Sequence, residues 1–273
     1  MQRNGRIRIG TLFAALLALG LTAELAEAAR CGNGGGGFER WKRDISKEAA
    51  RNGVGKQGQS ALAGTRYSTA TIRADRGQKS FKLSLNQFMA KRGANAIVQR
   101  GRSLKRQNAS LFNSLEKRYG VPPGPLIAIW GMESGFGGFM GNSNILSSVA
   151  TLAYDCRRSE FFTGHLYAAL QLVDRGWLSP NAVGAAHGEI GQTQFLPGNV
   201  VKYGTDGDGN GRVDMIRSRA DALASTANFL RAHGWRRGAG YQPGQPNYRA
   251  IQAWNAASVY QQAIAIMGKQ IDG

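Results

Sequence analysis

The stretch PPGPLIAIWGMESGFGG, Pro122–Gly138, contains the strongest structural signal in the sequence. Prolines at its start are typical of a first helical turn, because the N–H group that proline lacks has no helical partner there. Leu126, Ile129, Trp130 and Glu133 follow at positions i, i+3, i+4 and i+7. Residues with this spacing share one face of a helix, so the sequence predicts a helix with an acid at the end of its apolar face.

An acid in this position has two interpretations. Apolar surroundings disfavour the charged carboxylate and raise its pKa, which suits a general acid that protonates a leaving oxygen. Alternatively, Glu133 is solvated or caps the helix end, and the spacing alone does not separate the two. The turn that follows allows close backbone approach and offers aromatic faces to a sugar ring. Its residues are Gly135, Phe136, Gly137, Gly138, Phe139 and Gly141.

Helical spacing of apolar residues continues on both sides of this stretch, while the alternation typical of strands is scarce. We therefore predict a mainly α (α+β) fold with a small hairpin near the acidic loop 206–214. One domain, residues 30–273, would consist of an N-terminal helical part, 38–118, and a core that carries Glu133, 119–273. The predicted helices cover 38–52, part of 53–67, a long region from 88 to 119, 126–134, 146–155, 160–176, 181–186, 221–234 and 248–271, with a loop at 75–84.

Residues 1–29 have the features of a cleaved export signal. Basic residues precede the apolar run Thr11–Leu21, and Ala26–Ala28 supplies small residues for cleavage. The run is shorter than the roughly 20 apolar residues that span a bilayer, and no later segment is apolar enough to be a transmembrane helix. A buried helix is the alternative, but the basic flank and the small residues favour a signal peptide and a periplasmic or secreted protein.

Two cysteines, Cys31 and Cys156, remain after the signal peptide. An oxidising compartment favours a disulfide that ties the N-terminus to the middle of the domain, and two free or buried thiols are the alternative. Cys31 follows Arg30, whereas a lipidated cysteine normally follows a small residue. A lipid anchor is therefore not expected.

The charge of the chain is strongly positive. The formal net charge is +18, and the signal peptide contributes +1 of it, which leaves +17 on the mature chain. Such a field favours polyanionic partners without dictating the fold. For an exported protein, the carboxylates of the cell wall and lipid head groups are better candidates than nucleic acid, because the sequence has no recognisable groove-reading or base-stacking module.

The acidic loop begins like the calcium-binding loop of an EF-hand. Oxygen ligands would come from positions one, three, five and nine, with a glycine at position six for the sharp turn. Arg217 stands at position twelve in place of the usual glutamate, and Asp221 compensates only if the chain bends back. A turn rich in Asp and Asn without a metal is the alternative. The candidate ligands are Asp206, Asp208, Asn210 and Asp214.

Further motifs follow one another in order through nearly the whole mature chain. They are Ile127–Gly137, Ala150–Tyr154 with Arg157 and Arg158, Gly191–Pro197, Asp221–Ser225, His233–Trp235 and Trp254–Asn255. Together they resemble the motifs of the membrane-bound lytic murein transglycosylase B family. The resemblance is weaker upstream, at Asp75–Gln78.

This resemblance implies a lysozyme-like fold and cleavage of the peptidoglycan bond between N-acetylmuramic acid (MurNAc) and N-acetylglucosamine (GlcNAc). The implied product carries a 1,6-anhydro ring. Glu133 would protonate the leaving oxygen, and its carboxylate would then deprotonate the C6 hydroxyl that attacks C1. One acid suffices in this scheme, whereas an ordinary retaining glycosidase uses two. The expected protein is a monomer that requires no cofactor, with a structural calcium ion as an option in the acidic loop.

The resemblance also assigns residues to a sugar cleft. Ser134 and Gln194 match positions that line it, although an amide bonded to backbone is the alternative for Gln194. Arg157 and Arg158 match positions that bind the lactyl-peptide carboxylate of the muramyl unit, for which arginine offers two parallel donors. One of the two arginines is alternatively part of a general basic surface.

Other positions depart from the family pattern. Trp254 and Asn255 match a Tyr-Asn pair, so the indole keeps a stacking face and loses the phenol hydroxyl. Phe161 likewise stands where tyrosine is commoner. Glu189 occupies a position where better-known members carry a small residue, which makes it a candidate substrate-binding residue and a less favoured nucleophile. Glu160 is expected to be a surface or ion-pairing acid.

Three other functions compete with a lytic transglycosylase. A muramidase hydrolase with the same cleft would use water in place of the C6 hydroxyl. A catalytically silent wall-binding protein would bind through its positive charge, although the intact Glu133 argues against it. An exported nucleic-acid binder has the charge alone in its favour.

Overall fold

Helices account for most of the chain that the computed structural model describes, residues 30–77 and 83–273. The predicted signal peptide and Gln78 of the upstream motif lie outside the described residues. The mainly α class predicted from the sequence is confirmed. The helices are α1 (Phe38–Arg51), α2 (Lys56–Ala63), α3 (Thr69–Arg76), α4 (Leu85–Lys91), α5 (Ala94–Gln107), α6 (Ala109–Tyr119), α7 (Pro123–Ser134), α8 (Ile145–Tyr154), α9 (Ser159–Asp174), α10 (Pro197–Tyr203), α11 (Arg219–Ala232), α12 (Tyr248–Trp254) and α13 (Ser258–Asp272).

Helix α7 lies at the centre of the core. It packs against α5, α6, α11 and α13, and it is buried on every face up to Met132. Pro123 occupies its first turn, and Gly135 ends it in a left-handed conformation with a φ of 59°. The helix was predicted to bury one apolar face, but its apolar residues run all the way round, as is typical of a helix inside a core.

Two long predicted helices are broken in the structure. The region from 88 to 119 divides into α4, α5 and α6, because Gly93 takes a φ of 65° and the side chain of Asn108 donates to the carbonyl of Leu104. The segment 248–271 divides into α12 and α13 at Asn255, whose backbone is extended. The sequence also missed α3, which Ser68 caps, and α10, which begins at Pro197.

A small antiparallel sheet pairs β1 (Ser143–Asn144) with β2 (Val183–Gly184). A small hairpin was expected near the acidic loop. The two strands instead lie outside that loop, and α8 and α9 separate them along the chain, so they do not form a hairpin. The prediction of a helix at 181–186 is wrong. Val183 and Gly184 pair with β1 instead, and a Cβ atom at Gly184 would lie 2.2 Å from the carbonyl oxygen of Glu189, so this close approach of the extended chain requires glycine.

The N-terminal segment is attached to the loop after α8. The Sγ atoms of Cys31 and Cys156 lie 2.13 Å apart and form a disulfide. Gly32 adds two backbone hydrogen bonds, from its N–H to the carbonyl of Tyr154 and from the N–H of Cys156 to its own carbonyl. Cys156 immediately precedes Arg157, so the disulfide fixes the start of the arginine segment.

The described residues contain no helix that is both long enough and apolar enough to cross a bilayer.

Close contact between α7 and α13 predicts a position-specific cost for a single methyl group. A Cβ atom at Gly124 would lie 2.1 Å from the carbonyl oxygen of Gly268. We expect Gly124→Ala to lower the free energy of unfolding by about 1–3 kcal/mol, because the helices must separate. Gly164→Ala, inside α9 with open space around it, should be neutral or stabilise by up to about 1 kcal/mol. Urea denaturation measures both, and equal effects would contradict the packing.

Candidate active site

Glu133 lies in the last turn of α7 and is held at one carboxylate oxygen. Its Oε1 accepts a hydrogen bond of 2.7 Å from the hydroxyl of Tyr260 and one of 3.1 Å from the indole Nε1 of Trp254. Trp254 is the last residue of α12, and Tyr260 lies in the first turn of α13. The break at Asn255 therefore brings both donors to the same oxygen.

Burial dominates the acidity of Glu133. Loss of hydration raises its pKa to about 7, against the lowering effects of Tyr260, Trp254 and the positive charge of Arg92. The negative charge of Glu189 raises the pKa further. A carboxyl group with this pKa is protonated in a large fraction of molecules at neutral pH, so Glu133 can act first as an acid and then as a base.

Aromatic contacts fix the two donors. The guanidinium of Arg92 lies 5.9 Å from the ring centre of Tyr260 and 5.4 Å from that of Phe88. The indole of Trp254 packs edge-on against Phe195 at 5.2 Å and Phe229 at 5.1 Å. The carboxyl of Glu133 is therefore held by side chains that are themselves packed.

Ser134, predicted to line the cleft, holds the turn that follows α7. Its buried hydroxyl donates to the carbonyl of Gln192 at 2.6 Å and accepts from the N–H of Gly137 at 2.8 Å. Both contacts are with protein backbone. Ser134 thus joins the end of α7 to the Gly191–Pro197 motif.

The two aromatic residues of this turn differ in exposure. Phe136, in a left-handed conformation with a φ of 66°, packs edge-on against Trp130 and lies under the guanidinium of Arg100. Phe139 is 70% exposed. Of the two, Phe139 has the free face that stacking on a sugar would require.

Gln194 is half-buried, and its side-chain amide bonds to backbone. Its Nε2 donates to the carbonyl of Gly191 at 2.7 Å and to that of Met140 at 3.3 Å. Gln194 itself has a φ of 53°, inside a tight turn that an Ile190–Phe195 bridge closes. The amide therefore shapes the wall of the site and links it to the turn after Glu133.

Arg157 and Arg158 share one buried acid. Both guanidinium groups form ion pairs with Asp75, whose side chain is 1% exposed. The side chain of Arg157 remains half exposed, and Arg158 also lies over the ring of Phe162 at 4.6 Å. Asp75 thus orients both guanidinium groups, and the side chain of Arg157 is the more exposed of the two.

Glu189 is linked to Asp75 through the ring of His187. Its Oε1 is 3.5 Å from Nδ1 of His187, and the Nε2 of that histidine is 3.8 Å from Asp75. The structure thereby connects Glu189 to the two arginines through His187 and Asp75. Glu160 is exposed in the first turn of α9.

Asn255 shapes the break between α12 and α13. Its side-chain oxygen accepts from the N–H of Ala257 at 2.9 Å, and its carbonyl accepts from the side chain of Gln261 at 2.8 Å. Asn255 thus positions Trp254 and Tyr260 by holding the backbone between them.

In the acidic loop, the structure brings together a different set of acids from the predicted one. Oxygens of Asp206, Asp208 and Asp221 lie within 4.8 Å of one another. The chain does bend back, because the buried Asp221 accepts from the N–H groups of Gly207 and Asp214. Asp214 instead faces Arg217 at 3.4 Å, and the side chain of Asn210 accepts from the N–H of Arg212.

Sequence reasoning missed Tyr260, Asp75, His187 and Arg92. Asp75 belonged to the weak upstream motif, where an acid followed by Arg76 carried no sign of a distant partner. Tyr260 had one signal, a hydroxyl-bearing aromatic residue soon after the Trp254–Asn255 motif. A phenol does reach Glu133, from Tyr260 on α13.

Residues 37–245 match the family model described as transglycosylase SLT domain. The chain belongs to this family. It is 35% identical over 159 residues to membrane-bound lytic murein transglycosylase B of Escherichia coli (strain K12), a match that covers 55% of this chain and 44% of that protein. The chain thus spans less than half of that relative, and the family match covers residues 37–245 of this chain.

Solved structures share the fold. SltB3 from Pseudomonas aeruginosa, crystallised with NAG-NAM-pentapeptide, superposes with a TM-score of 0.80 and 30% identity over 86% of this chain and 80% of that one. Escherichia coli lytic transglycosylase Slt35 in complex with calcium has a TM-score of 0.73 and 22% identity, over 89% and 96% of the two chains. The fold is the lysozyme-like transglycosylase fold that the sequence motifs implied.

The contact from Tyr260 predicts a shift in pH dependence. Tyr260→Phe removes a donor that stabilises the charged carboxylate, so the pKa of Glu133 rises. Activity that needs protonated Glu133 should then persist to higher pH, by about one unit for a hydrogen bond to a charged group. The pH profile of kcat/KM measures the shift.

Tyr167→Phe is the matched control, because Tyr167 also donates to a glutamate, Glu48 on α1. This variant should leave the profile unchanged. An alkaline limb that stays in place or moves to lower pH in Tyr260→Phe would contradict the assigned role of the hydroxyl.

Proposed function

We propose that this chain is a lytic transglycosylase that cleaves the MurNAc–GlcNAc bond of peptidoglycan and leaves a 1,6-anhydro-MurNAc end. The observation that carries the proposal is Glu133, a carboxyl group with a pKa raised to about 7 by burial and held by two neutral donors. Family membership and the complexes of SltB3 with peptidoglycan fragments support the choice of substrate.

Protonated Glu133 starts the reaction. Both side-chain donors reach its Oε1, which leaves Oε2 as the oxygen that can carry the proton to the substrate. As the bond between C1 of MurNAc and the leaving oxygen breaks, the proton moves from Glu133 to that oxygen. Positive charge develops on the MurNAc ring at the same time.

The carboxylate that results then acts as a base. It removes the proton of the C6 hydroxyl of the same MurNAc, and the oxygen forms a new bond to C1. The ring closes without water, and Glu133 regains its proton. A pKa near neutrality suits both half-reactions, because the same group must give and take a proton at one pH.

The arginines support a role in binding the acidic peptide stem. Arg157 is half exposed, and its guanidinium is oriented by the buried Asp75. A carboxylate could form parallel hydrogen bonds with such a group. The positive charge of the mature chain would add a long-range attraction to an anionic wall.

A periplasmic location follows from the same proposal. Residues 1–29 would be removed as a signal peptide, and the Cys31–Cys156 disulfide fits an oxidising compartment.

A muramidase hydrolase is the second candidate, and one observation favours it. Glu189 is a second acid whose charge acts on Glu133, and hydrolysing glycosidases use two carboxyl groups. The products separate the two reactions, since an anhydro end is lighter than a reducing end by one water.

Glu133→Gln tests the function directly. The amide keeps the shape of the side chain but transfers no proton, so release of muropeptides from purified sacculi should fall by about 10²- to 10⁴-fold. Mass spectrometry of the wild-type products should show anhydro ends. Glu160→Gln, at an exposed acid of α9, should retain full activity.

Three results would contradict the proposal. Full activity of Glu133→Gln would remove its central residue, and reducing ends from the wild type would indicate a hydrolase. A wild type that binds sacculi without releasing muropeptides would be a wall-binding protein.

We also propose that the acidic loop binds calcium through Asp206, Asp208 and Asp221. Asp206 accepts from the N–H groups of Gly209 and Gly211 and is thereby oriented within the loop. Carboxylate oxygens are the ligands that calcium prefers. The ion would stabilise the turn before α11.

Calcium should therefore raise the thermal midpoint. Millimolar calcium that exceeds the dissociation constant of the site tenfold to hundredfold stabilises the folded form by about 1–3 kcal/mol through mass action. Asp208→Asn should abolish the increase and Asp214→Asn should keep it, because Asp214 faces Arg217. An unchanged midpoint in the wild type would indicate a turn without a metal.

A further inference from the structure

Asp75 is a buried acid that contacts residues of the proposed active site. Its buried carboxylate forms ion pairs with Arg157 and Arg158. The ring of His187 also lies near it, with Nε2 3.8 Å from Oδ1 of Asp75. That Nε2 is buried and has no hydrogen-bond partner within the described part of the chain.

His187 in turn lies against both carboxylate oxygens of Glu189. Its ring Nδ1 is 3.5 Å from Oε1 of Glu189, and its backbone N–H donates to Oε2 at 3.2 Å. The side chain of His187 is 13% exposed and that of Glu189 is 25% exposed. The imidazole thus lies between a buried acid and a partly solvated one, and it fixes the direction of the latter.

The segment around Glu189 reaches the catalytic acid through packed residues. Ile190 pairs with Phe195 across the tight turn, and the ring of Phe195 packs against Trp254 at 5.2 Å. Trp254 donates to Glu133. Glu189 therefore belongs to the same set of packed residues as Trp254, which donates to Glu133. Its negative charge raises the pKa of Glu133.

We propose that Glu189 is a further catalytic residue, an ionised carboxylate that stabilises the positive charge on the MurNAc ring while Glu133 protonates the leaving oxygen. His187 is its positioning residue, and Asp75 anchors His187. This inference rests on the proposed function, since it concerns the same substrate and the same bond.

Two carboxyl groups in unlike surroundings can divide the work. Loss of hydration raises the pKa of Glu133 and favours its protonated form, against the two neutral donors, which favour the carboxylate. Glu189 is 25% exposed, and its Oε2 accepts from the backbone N–H of His187. A fixed negative charge near a developing positive charge lowers the energy of the transition state, because it needs no reorganisation during the reaction.

The contacts favour an electrostatic role for Glu189 over a chemical one. A nucleophile or a base that activates water needs a free oxygen. Oε2 of Glu189 accepts from the backbone N–H of His187, and Oε1 lies 3.5 Å from the ring Nδ1 of the same residue, so His187 lies against both oxygens. Glu189 should therefore affect the rate without changing which oxygen attacks C1.

The test compares Glu189→Gln, Glu189→Asp, His187→Asn and the double variant Glu189→Gln/His187→Asn on purified sacculi and on a soluble MurNAc-containing oligosaccharide. We expect Glu189→Gln to lower kcat by about 10- to 100-fold, with KM changed by less than about threefold. Glu189→Asp keeps the charge and should recover part of the rate. The ratio of anhydro to reducing ends should stay constant.

His187 should act through Glu189. His187→Asn should lower kcat less than Glu189→Gln does, and the double variant should be no slower than Glu189→Gln alone, because the positioning effect disappears with the charge. Glu189→Gln should also move the alkaline limb of the pH profile to lower pH, since the charge of Glu189 raises the pKa of Glu133. A structural role for either residue would not produce this shift.

Activity of Glu189→Gln within twofold of wild type, with an unchanged thermal midpoint, would overturn the inference. A rise in the anhydro fraction in Glu189→Gln would also overturn it, because it would assign Glu189 to water activation. So would a double variant whose loss of kcat equals the product of the two single losses. Glu160→Gln is the control acid, and Glu133→Gln separates the two proposals. If Glu133→Gln remains active the proposed function fails, whereas an inactive Glu133→Gln beside a fully active Glu189→Gln removes the further inference alone.

Discussion

The hydrogen bonds from Tyr260 and Trp254 to one oxygen of Glu133 are the interaction on which the site depends. Burial raises the pKa of this carboxyl group from 4.5 to about 7, which corresponds to a penalty of about 3 kcal/mol on its charged form. Below pH 4.5 the group is protonated in both the folded and unfolded chains and costs nothing. As the pH rises toward 7, the unfolded chain ionises first and the folded state loses stability. The surrounding core, built on α7, must supply enough packing to offset this loss.

The convergence of the two donors requires the break between α12 and α13. Residues six apart in one continuous helix differ in direction by about 240°, so Trp254 and Tyr260 would point to different sides. The extended backbone at Asn255 removes this restriction, and the side chain of Asn255 holds the new path through the N–H of Ala257. Asn255, predicted as a residue of the sugar cleft, therefore holds the backbone between the two residues that donate to Glu133. The same break explains why one predicted helix, 248–271, became two.

Local pattern was sufficient to predict α7, its acid and the mainly α fold. Glu133 could be found because the helix signal, the turn after it and the ordered motifs all lie close to it in the sequence. Asp75 and His187 could not, because each acquires its role from partners far away in the chain, and a lone polar residue gives no sign of such a partner. Tyr260 had one signal, its place soon after the Trp254–Asn255 motif. Asp221 is an intermediate case. Its place downstream of position twelve of the loop required a bend, and the structure contains that bend beside the helix cap at Ser218.

The scarcity of acids in this basic chain makes their partners informative. With 35 Lys and Arg against 17 Asp and Glu, a buried acid could readily find a cation. Asp75 does so with two arginines, and Asp155 does so with Arg76. Glu133 is bonded instead to a phenol and an indole, with Arg92 acting on it without an ion pair in the described structure. An ion pair would favour the carboxylate and leave no proton to donate, whereas neutral donors hold the oxygen in place and permit both protonation states. Burial raises the pKa, and partners without charge preserve that rise, so the two together make Glu133 suited to acid and base chemistry.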